Sequence, residues 1–376
     1  MRVYLDNAAT TQIAPEVIDF MTDLMKSDYA NPSSIHHGGR KSRILIENAR
    51  KTVSGFLNTS PGNIFFTSGG TEADNMAIRC GIIDNNISHA ITSSISHKAV
   101  LYPLEELKKK EIIHLDYIKL DKNGRIDLSH LEELLQNNPK TFVSIMHANN
   151  EIGTIQPIKE IGDLCMKYNA IFHCDTVQTM AHYPINLQEF NVDFITGSAH
   201  KFHGPKGVGF IYISDNINIK PFISGGSQER NMRAGTENVH SIAGLAKAME
   251  ISYSNMEKDK KYISEIKKYM IEQLKENIDD IEFNANCTDF ENSLFKILSV
   301  SFPKISESEM LLFNLDIHGI SCSGGSACSA GNMSGSHVLD VVCSDKNRTG
   351  VRFSFSRYNT KEEIDYTIQK IKEIFS

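Results

Sequence analysis

The chain has 376 residues, enough for two domains at roughly 150 residues each, and its 40% hydrophobic and 23% charged content is that of an ordinary soluble globular protein. A formal net charge of -7 argues against a protein that lives on nucleic acid, because phosphate binding needs a basic surface. The amino terminus MRVYLDNAATT lacks a cationic run followed by an apolar stretch, and no uninterrupted apolar run of about 18 residues occurs, so no signal peptide or membrane span is expected and the chain reads as cytoplasmic.

From residue 63 to about residue 213, short β-branched runs alternate with amphipathic helical runs, the signature of a mainly parallel α/β sheet. Residues 63–67, 89–92, 141–145, 170–174 and 193–196 are predicted as buried strands, and 207–213 as an antiparallel strand after the tight turn Gly204-Pro205-Lys206-Gly207. Helices are predicted at 72–80, 97–109, 128–136 and 158–168. A long charged helical run over 240–277 suits a bridge between domains. A second α/β unit starts near Ile281 and ends in a helix at 361–375.

Several motifs sit at the ends of these elements. Phe65 to Asn75 runs strand, glycine pair, helix, and the helix start offers free N–H groups and about half a positive charge to a phosphate, with Gly69 and Gly70 allowing close approach. It is not a Walker loop, since no GK[ST] follows. Asp175 ends an apolar strand, where its carboxylate suits a pyridine nitrogen or, equally, caps the next helix. Lys201 follows a predicted strand and precedes a glycine-rich turn. It is either a surface lysine or an amine aimed and desolvated for attack on an aldehyde. Read alone, His97 is a helix-cap or surface histidine, Arg352 a strand residue facing solvent, and 225–238 an exposed flexible loop. No metal-ligating set is assigned.

In order and spacing, these pieces, with Ser144-Ile145-Met146-His147-Ala148-Asn149-Asn150-Glu151-Ile152-Gly153 between them, resemble the class V aminotransferases of fold-type I pyridoxal-phosphate enzymes. Within that group the chain is similar to the cysteine desulfurases. The resemblance extends from Tyr4-Leu5-Asp6-Asn7-Ala8-Ala9-Thr10-Thr11 to Arg352-Phe353-Ser354-Phe355-Ser356-Arg357. It implies an α/β fold with a mainly parallel seven-stranded sheet in a large pyridoxal-phosphate domain (14–249), and a smaller α/β domain from 1–13 and 250–376.

Residue by residue, the resemblance makes Lys201 the lysine that carries pyridoxal 5'-phosphate, Asp175 the partner of its ring nitrogen and Gln178 a ligand of its phenolic oxygen. Gly70, Thr71, Ser198 and His200 match the phosphate cup, and His97 the imidazole stacked on the ring. Arg352 matches the arginine that holds the substrate carboxylate, with Asn150 beside it. Thr236, in the loop 225–238, matches a phosphate contact made across a homodimer interface, so a monomer would have an incomplete site.

The seven cysteines, 80, 165, 174, 287, 322, 328 and 343, form no CxxC pair, and most are expected to be reduced, buried thiols. Cys328 differs because it lies in Ser321-Cys322-Ser323-Gly324-Gly325-Ser326-Ala327-Cys328-Ser329-Ala330-Gly331, a small-residue loop that buries little apolar area. Ser326-Ala327-Cys328 resembles the long-loop class of desulfurases. Cys328 is then the thiol that takes sulfur from L-cysteine, leaving L-alanine and a persulfide for an acceptor such as an iron–sulfur scaffold protein. Cys322 follows the apolar stretch 317–320 and is the weaker candidate, and a Cys322–Cys328 disulfide is the redox alternative.

A selenocysteine lyase or a class V aminotransferase is the rival within the family. A catalytically silent scaffold would be expected to lack Lys201, Asp175 or Cys328, and all three are present. The sequence ends at Ser376, just after the last predicted helix, where scaffold-binding members often continue. The resemblance therefore implies desulfuration more directly than delivery to a scaffold.

Overall fold

The computed structural model describes residues 1–304, 310–324, 336–343 and 348–375. Its main sheet has seven strands in the order Ile64–Thr67, Gly209–Ile213, Phe194–Ser198, Ile171–Asp175, Thr141–Met146, His89–Ser93 and His114–Ile118. Gly209–Ile213 is antiparallel to both its neighbours, and the other pairings are parallel. An antiparallel neighbour can be reached without a crossover, whereas a parallel step needs a long connection, helical in most cases here but made of turns between Ile171–Asp175 and Phe194–Ser198. Helices Gly70–Ile83, Lys98–Lys109, Leu128–Asn137 and Ile158–Lys167 supply crossovers close to the predicted bounds.

The strand that residue patterning overlooked is His114–Ile118. It is the sheet edge, so Leu115 and Ile118 are buried while His114 and Tyr117 face solvent, and no continuous apolar run marks it. The inner strands are buried along their length, as expected where both faces are covered.

Helix Val239–Asn277 is 39 residues long and serves two cores. Val239, Ile242, Leu245 and Met249 pack into the apolar cluster beside the main sheet. Ile263, Ile266, Met270 and Leu274 pack into another cluster with Phe302, Val351, Phe353, Ile364 and Ile368. Each such side chain contributes roughly 1.5–3 kcal/mol of burial, so both halves of the helix are held. The second cluster lies against a four-stranded sheet ordered Ser323–Gly324, Thr349–Ser354, Ile297–Phe302, Glu282–Phe283. The amino terminus joins it, since Val3–Tyr4 pairs in parallel with Ile320–Ser321 and Val3 and Leu5 are buried there.

Candidate active site

In open parallel sheets, ligands bind beyond the carboxyl ends of the strands. A cavity of about 250 Å³ lies there, lined by Met146, Asp175 and Ser198 at three strand ends, by Gly70, Thr71 and Asp74 at a helix start, and by His97, Asn150, Gln178, His200 and Lys201. The sequence-predicted residues Gly70, Thr71, His97, Asn150, Asp175, Gln178, Ser198, His200 and Lys201 are thus brought to one place.

Lys201 closes the 3₁₀ turn Ala199–Lys201 that follows strand Phe194–Ser198. Its Nζ donates to the carbonyls of Ala8 at 2.6 Å and Ala9 at 2.8 Å, which aims the amine. Burial, joined by the positive charge of Arg352, pulls it down to about 8, against the opposing pull of Asp175 and Asp6. The amine therefore sheds its proton far more readily than a surface lysine.

Asp175 is the last residue of its strand, and its Oδ1 accepts the Val177 N–H at 2.9 Å. The capping reading and the cavity reading therefore hold together. Burial, reinforced by the nearby Asp74 carboxyl, pushes Asp175 above the ordinary carboxylate range, and His97 offsets part of this. Asp74 was not singled out from sequence, although it lies three residues after Thr71 and so shares its helix face. Burial raises its carboxyl too, opposed by a 2.8 Å hydrogen bond from the Thr196 hydroxyl. His173, also unanticipated, stands behind it. Its Nε2 is 3.4 Å from Asp74 Oδ1, its Nδ1 is 2.9 Å from Ser144 Oγ, and burial lowers it to about 4, so the ring is neutral.

His97 is the N-cap of helix Lys98–Lys109, and its Nδ1 accepts the Ala99 N–H at 3.1 Å. That bond places the proton of the neutral ring on Nε2. Burial lowers its pKa, Asp175 raises it and Lys201 lowers it, so its protonation answers to the cavity. At the helix start, a Cβ on Gly70 would come within 2.7 Å of Val177 Cγ2, so only glycine fits there. His200 Nδ1 lies 3.1 Å from Thr10 Oγ1, and burial lowers the ring to about 4.

Arg352 sits on strand Thr349–Ser354, with Nη2 donating to Asp6 Oδ1 at 2.7 Å and Nη1 to the Asn150 carbonyl at 2.9 Å. Its Nε is buried without a hydrogen-bond partner, so the solvent-facing reading fails. Asp6 is a carboxylate already on the guanidinium, the group type the resemblance assigns to the substrate. Thr236 is exposed and does not line the cavity within this chain. The loop around it is not free. Glu229 is buried, accepts from Arg50 at 2.8 and 2.9 Å, and takes the Phe66 N–H at 2.8 Å. Residues Glu229, Arg230 and Asn231 all adopt positive φ. Those anchors correct the flexible-loop reading, and an isolated glutamate in a polar loop gave no sign of them.

Cys328 lies outside the described residues, and so does any Cys322–Cys328 disulfide. Cys322 falls between strands Ile320–Ser321 and Ser323–Gly324, packs against the second core, and is pushed up to about 12 by burial. Such a thiol stays protonated and is a poor nucleophile. Cys80, Cys165, Cys174 and Cys287 are buried free thiols, as expected.

The donor set fits pyridoxal phosphate. A buried carboxylate raised above its ordinary range calls for a cationic partner, which a protonated ring nitrogen supplies. Gln178 gives one amide hydrogen to the Ala8 carbonyl at 3.0 Å, while its buried Oε1 has no partner, leaving hydrogen-bonding capacity at the cavity wall. The readily deprotonated Lys201 amine and the glycine-opened helix start complete the requirements for an aldehyde and a phosphate.

The aminotransferase class-V family model matches residues 3–367. A cysteine desulfurase IscS from Dictyoglomus turgidum is 41% identical over 377 residues, covering 99% of this chain and 94% of its own length. Among solved structures, a NifS-like protein superposes with a TM-score of 0.91 at 38% identity, covering 100% of this chain and 99% of its own. A structure described as SspA in complex with cysteine superposes with a TM-score of 0.81 at 30% identity, covering 95% of this chain and 100% of its own. With a fold of the pyridoxal-phosphate type and matches spanning nearly its whole length, the chain belongs to the class-V aminotransferase family and, within it, to the cysteine desulfurases.

Proposed function

We propose that the chain converts L-cysteine to L-alanine with pyridoxal 5'-phosphate held on Lys201, and that the sulfur passes to Cys328. The observation that carries this reading is one cavity walled by a lysine of depressed basicity and a buried strand-end carboxylate. When bound, pyridoxal phosphate supplies an electron sink that makes the α-proton of an amino acid acidic. Asp175 keeps the ring nitrogen charged. Gly70, Thr71, Ser198 and His200 hold the phosphate, and Gln178 meets the phenolic oxygen.

Arg352 binds the substrate carboxylate in place of Asp6, with Asn150 beside it, and its two-pronged geometry fixes which bond at the α-carbon faces Lys201. The Lys201 amine would move the α-proton, and His97, with its proton on Nε2, would stand beside it as a second proton carrier. The Cys328 thiolate then attacks the substrate sulfur. The carbon–sulfur bond breaks, a sulfur–sulfur bond forms, and a proton at the former β-carbon completes alanine.

Support for Cys328 comes from both flanks of its segment. On one side Ser323 pairs with Arg352 and donates to Asp6 Oδ1 at 2.7 Å. On the other, His337 Nε2 lies 3.0 Å from the Ser96 carbonyl, next to His97. The described ends of the segment thus stand beside Arg352 and beside the residue preceding His97.

A persulfide is a carrier, so an acceptor thiol or iron–sulfur scaffold protein must discharge it. The domain division proposed is 14–249 for the cofactor and 1–13 with 250–376 for the cysteine segment. The working unit proposed is a homodimer, with Thr236 completing the partner's phosphate site. Exposed Ile35 at 90% and Tyr29 at 82% supply apolar surface for such an interface. Mixed dimers of Lys201→Ala and Thr236→Ala subunits would regain one intact site if sites are shared, and none if they are not.

The decisive test of the sulfur step is mass spectrometry after limiting cysteine without reductant. The reading expects one added sulfur on the Cys328 peptide, and Cys328→Ala to bind cysteine with almost no alanine release. Sulfur on Cys322, or normal turnover by Cys328→Ala, contradicts it.

A further inference from the structure

At the opposite end of the main sheet, His89 and His114 begin neighbouring parallel strands and stand in register. Asp116 is two residues beyond His114, which returns it to the same face of the strand. His89 Nε2 lies 2.9 Å from Asp116 Oδ2, and His114 Nε2 lies 3.2 Å from Asp116 Oδ1. The imidazoles stack with centroids 5.7 Å apart, and the three ligating atoms all fall within 4.8 Å of one another.

The protonation of this cluster is constrained from behind. The Thr141 hydroxyl has one hydrogen and donates it to the Asn138 carbonyl at 2.7 Å, so it accepts from His89 Nδ1 at 2.9 Å. With one hydrogen committed to Nδ1, His89 meets the Asp116 carboxylate through Nε2, where a second proton or a metal ion has to stand between the two. Two acceptors at that separation repel unless a cation stands between them. A hydrogen-bonded Nδ1 that fixes the tautomer is also how metal-ligating histidines are oriented.

We propose that His89, His114 and Asp116 bind a divalent cation of the zinc class, completed by solvent, that clamps the edge strand His114–Ile118 to its neighbour. Two ligands about 2.0–2.1 Å from a tetrahedral ion stand roughly 3.3 Å apart, so the His–Asp separations of 2.9 and 3.2 Å need little change, while the full spread of up to 4.8 Å must draw in, which the exposed His114 ring can do by rotating. His89 is buried and fixed, while the side chains of His114 and Asp116 are 68% and 31% exposed, which gives an ion access and leaves room for water. Imidazole and carboxylate ligands suit zinc better than calcium or magnesium. A clamp here would hold down a strand whose outer edge has no neighbour in the sheet among the described residues.

The site is independent of the cysteine chemistry and is read without it. Holoenzyme equilibrated with Zn²⁺ and then dialysed should retain one more zinc per chain than His114→Ala or Asp116→Asn, since any zinc on thiols is common to all three. His114 is exposed, so its removal leaves the fold intact. X-ray absorption at the zinc edge, taken as wild type minus His114→Ala, should show a nitrogen and oxygen shell. Zinc should also raise the melting temperature of the wild type alone. Equal zinc retention in all three proteins, or a difference shell made of sulfur, overturns the proposal. The His89–Asp116 pair is then bridged by a proton.

Discussion

The two ends of the main sheet handle the same kinds of side chain differently. At the carboxyl ends, Asp74, Asp175 and Lys201 are driven towards their neutral forms chiefly by burial. At the amino ends, partial burial raises Asp116, yet hydrogen bonds and charge from His89 and His114 hold its carboxyl below the usual range. Solvent access accounts for the contrast. The cavity end keeps groups whose charges the protein leaves unbalanced, and a bound cofactor with its own charges would balance them. At the edge strand Asp116 is kept charged beside two histidines, and the exposed His114 leaves the cluster open to a proton, water or an ion.

The largest expected effect lies at the cavity end. Asp175→Asn retains a buried polar group but loses the negative charge, so cofactor should still bind through Lys201 and the phosphate cup while alanine production falls by about 10²- to 10³-fold. Unchanged turnover in that variant would mean that the buried carboxylate does not govern the chemistry.

A smaller effect sharpens the contrast through pH. Only the free amine of Lys201 attacks an aldehyde, so loading of apoprotein with pyridoxal phosphate should accelerate about tenfold per pH unit below about 8 and level off above it. The sign carries over to stability. Because the folded pKa of about 8 lies below the ordinary 10.5, the unfolded chain holds a proton that the folded apoprotein lacks between those values, and this residue's contribution to stability rises with pH across that window. A loading rate that keeps climbing to pH 10 would show an ordinary solvated lysine.

The smallest effect belongs to the other end. His114→Ala should leave alanine production unchanged and, with zinc present, lower the melting temperature by a few degrees, the scale expected for losing one bound ion in mild excess over its dissociation constant. A large loss of turnover would couple the two ends of the sheet, which they are not built to do.

Much of the cavity end was legible in the sequence because its residues sit at strand and helix termini, where local patterning is strong. Lys201 follows an apolar run, Asp175 ends one, and Gly69-Gly70 opens a helix. The resemblance then assigned roles that these residues alone left open, as with His97, which proves to be both a helix cap and a cavity residue. Groups that depend on packing between distant segments were not legible. The His173–Asp74 contact joins a strand to a helix, Glu229 meets Arg50 across the fold, and His89 meets His114 only because their strands pair in register. The last pairing was hidden further because the edge strand itself was not recognised.

If Lys201 is the lysine that holds pyridoxal phosphate, it does so beside a built-in competitor. Lys296 is also fully buried, its amine has no hydrogen-bond partner, and burial pulls its pKa well below the ordinary value, so readiness to deprotonate does not by itself single out Lys201. Aim does: Lys201 lines the cavity and is not replaced there by Lys296. Borohydride reduction of the holoenzyme, followed by proteolysis and peptide mass spectrometry, locates the cofactor covalently. The added mass is expected on the peptide containing Lys201. Label on Lys296, or on no lysine at all, would contradict it.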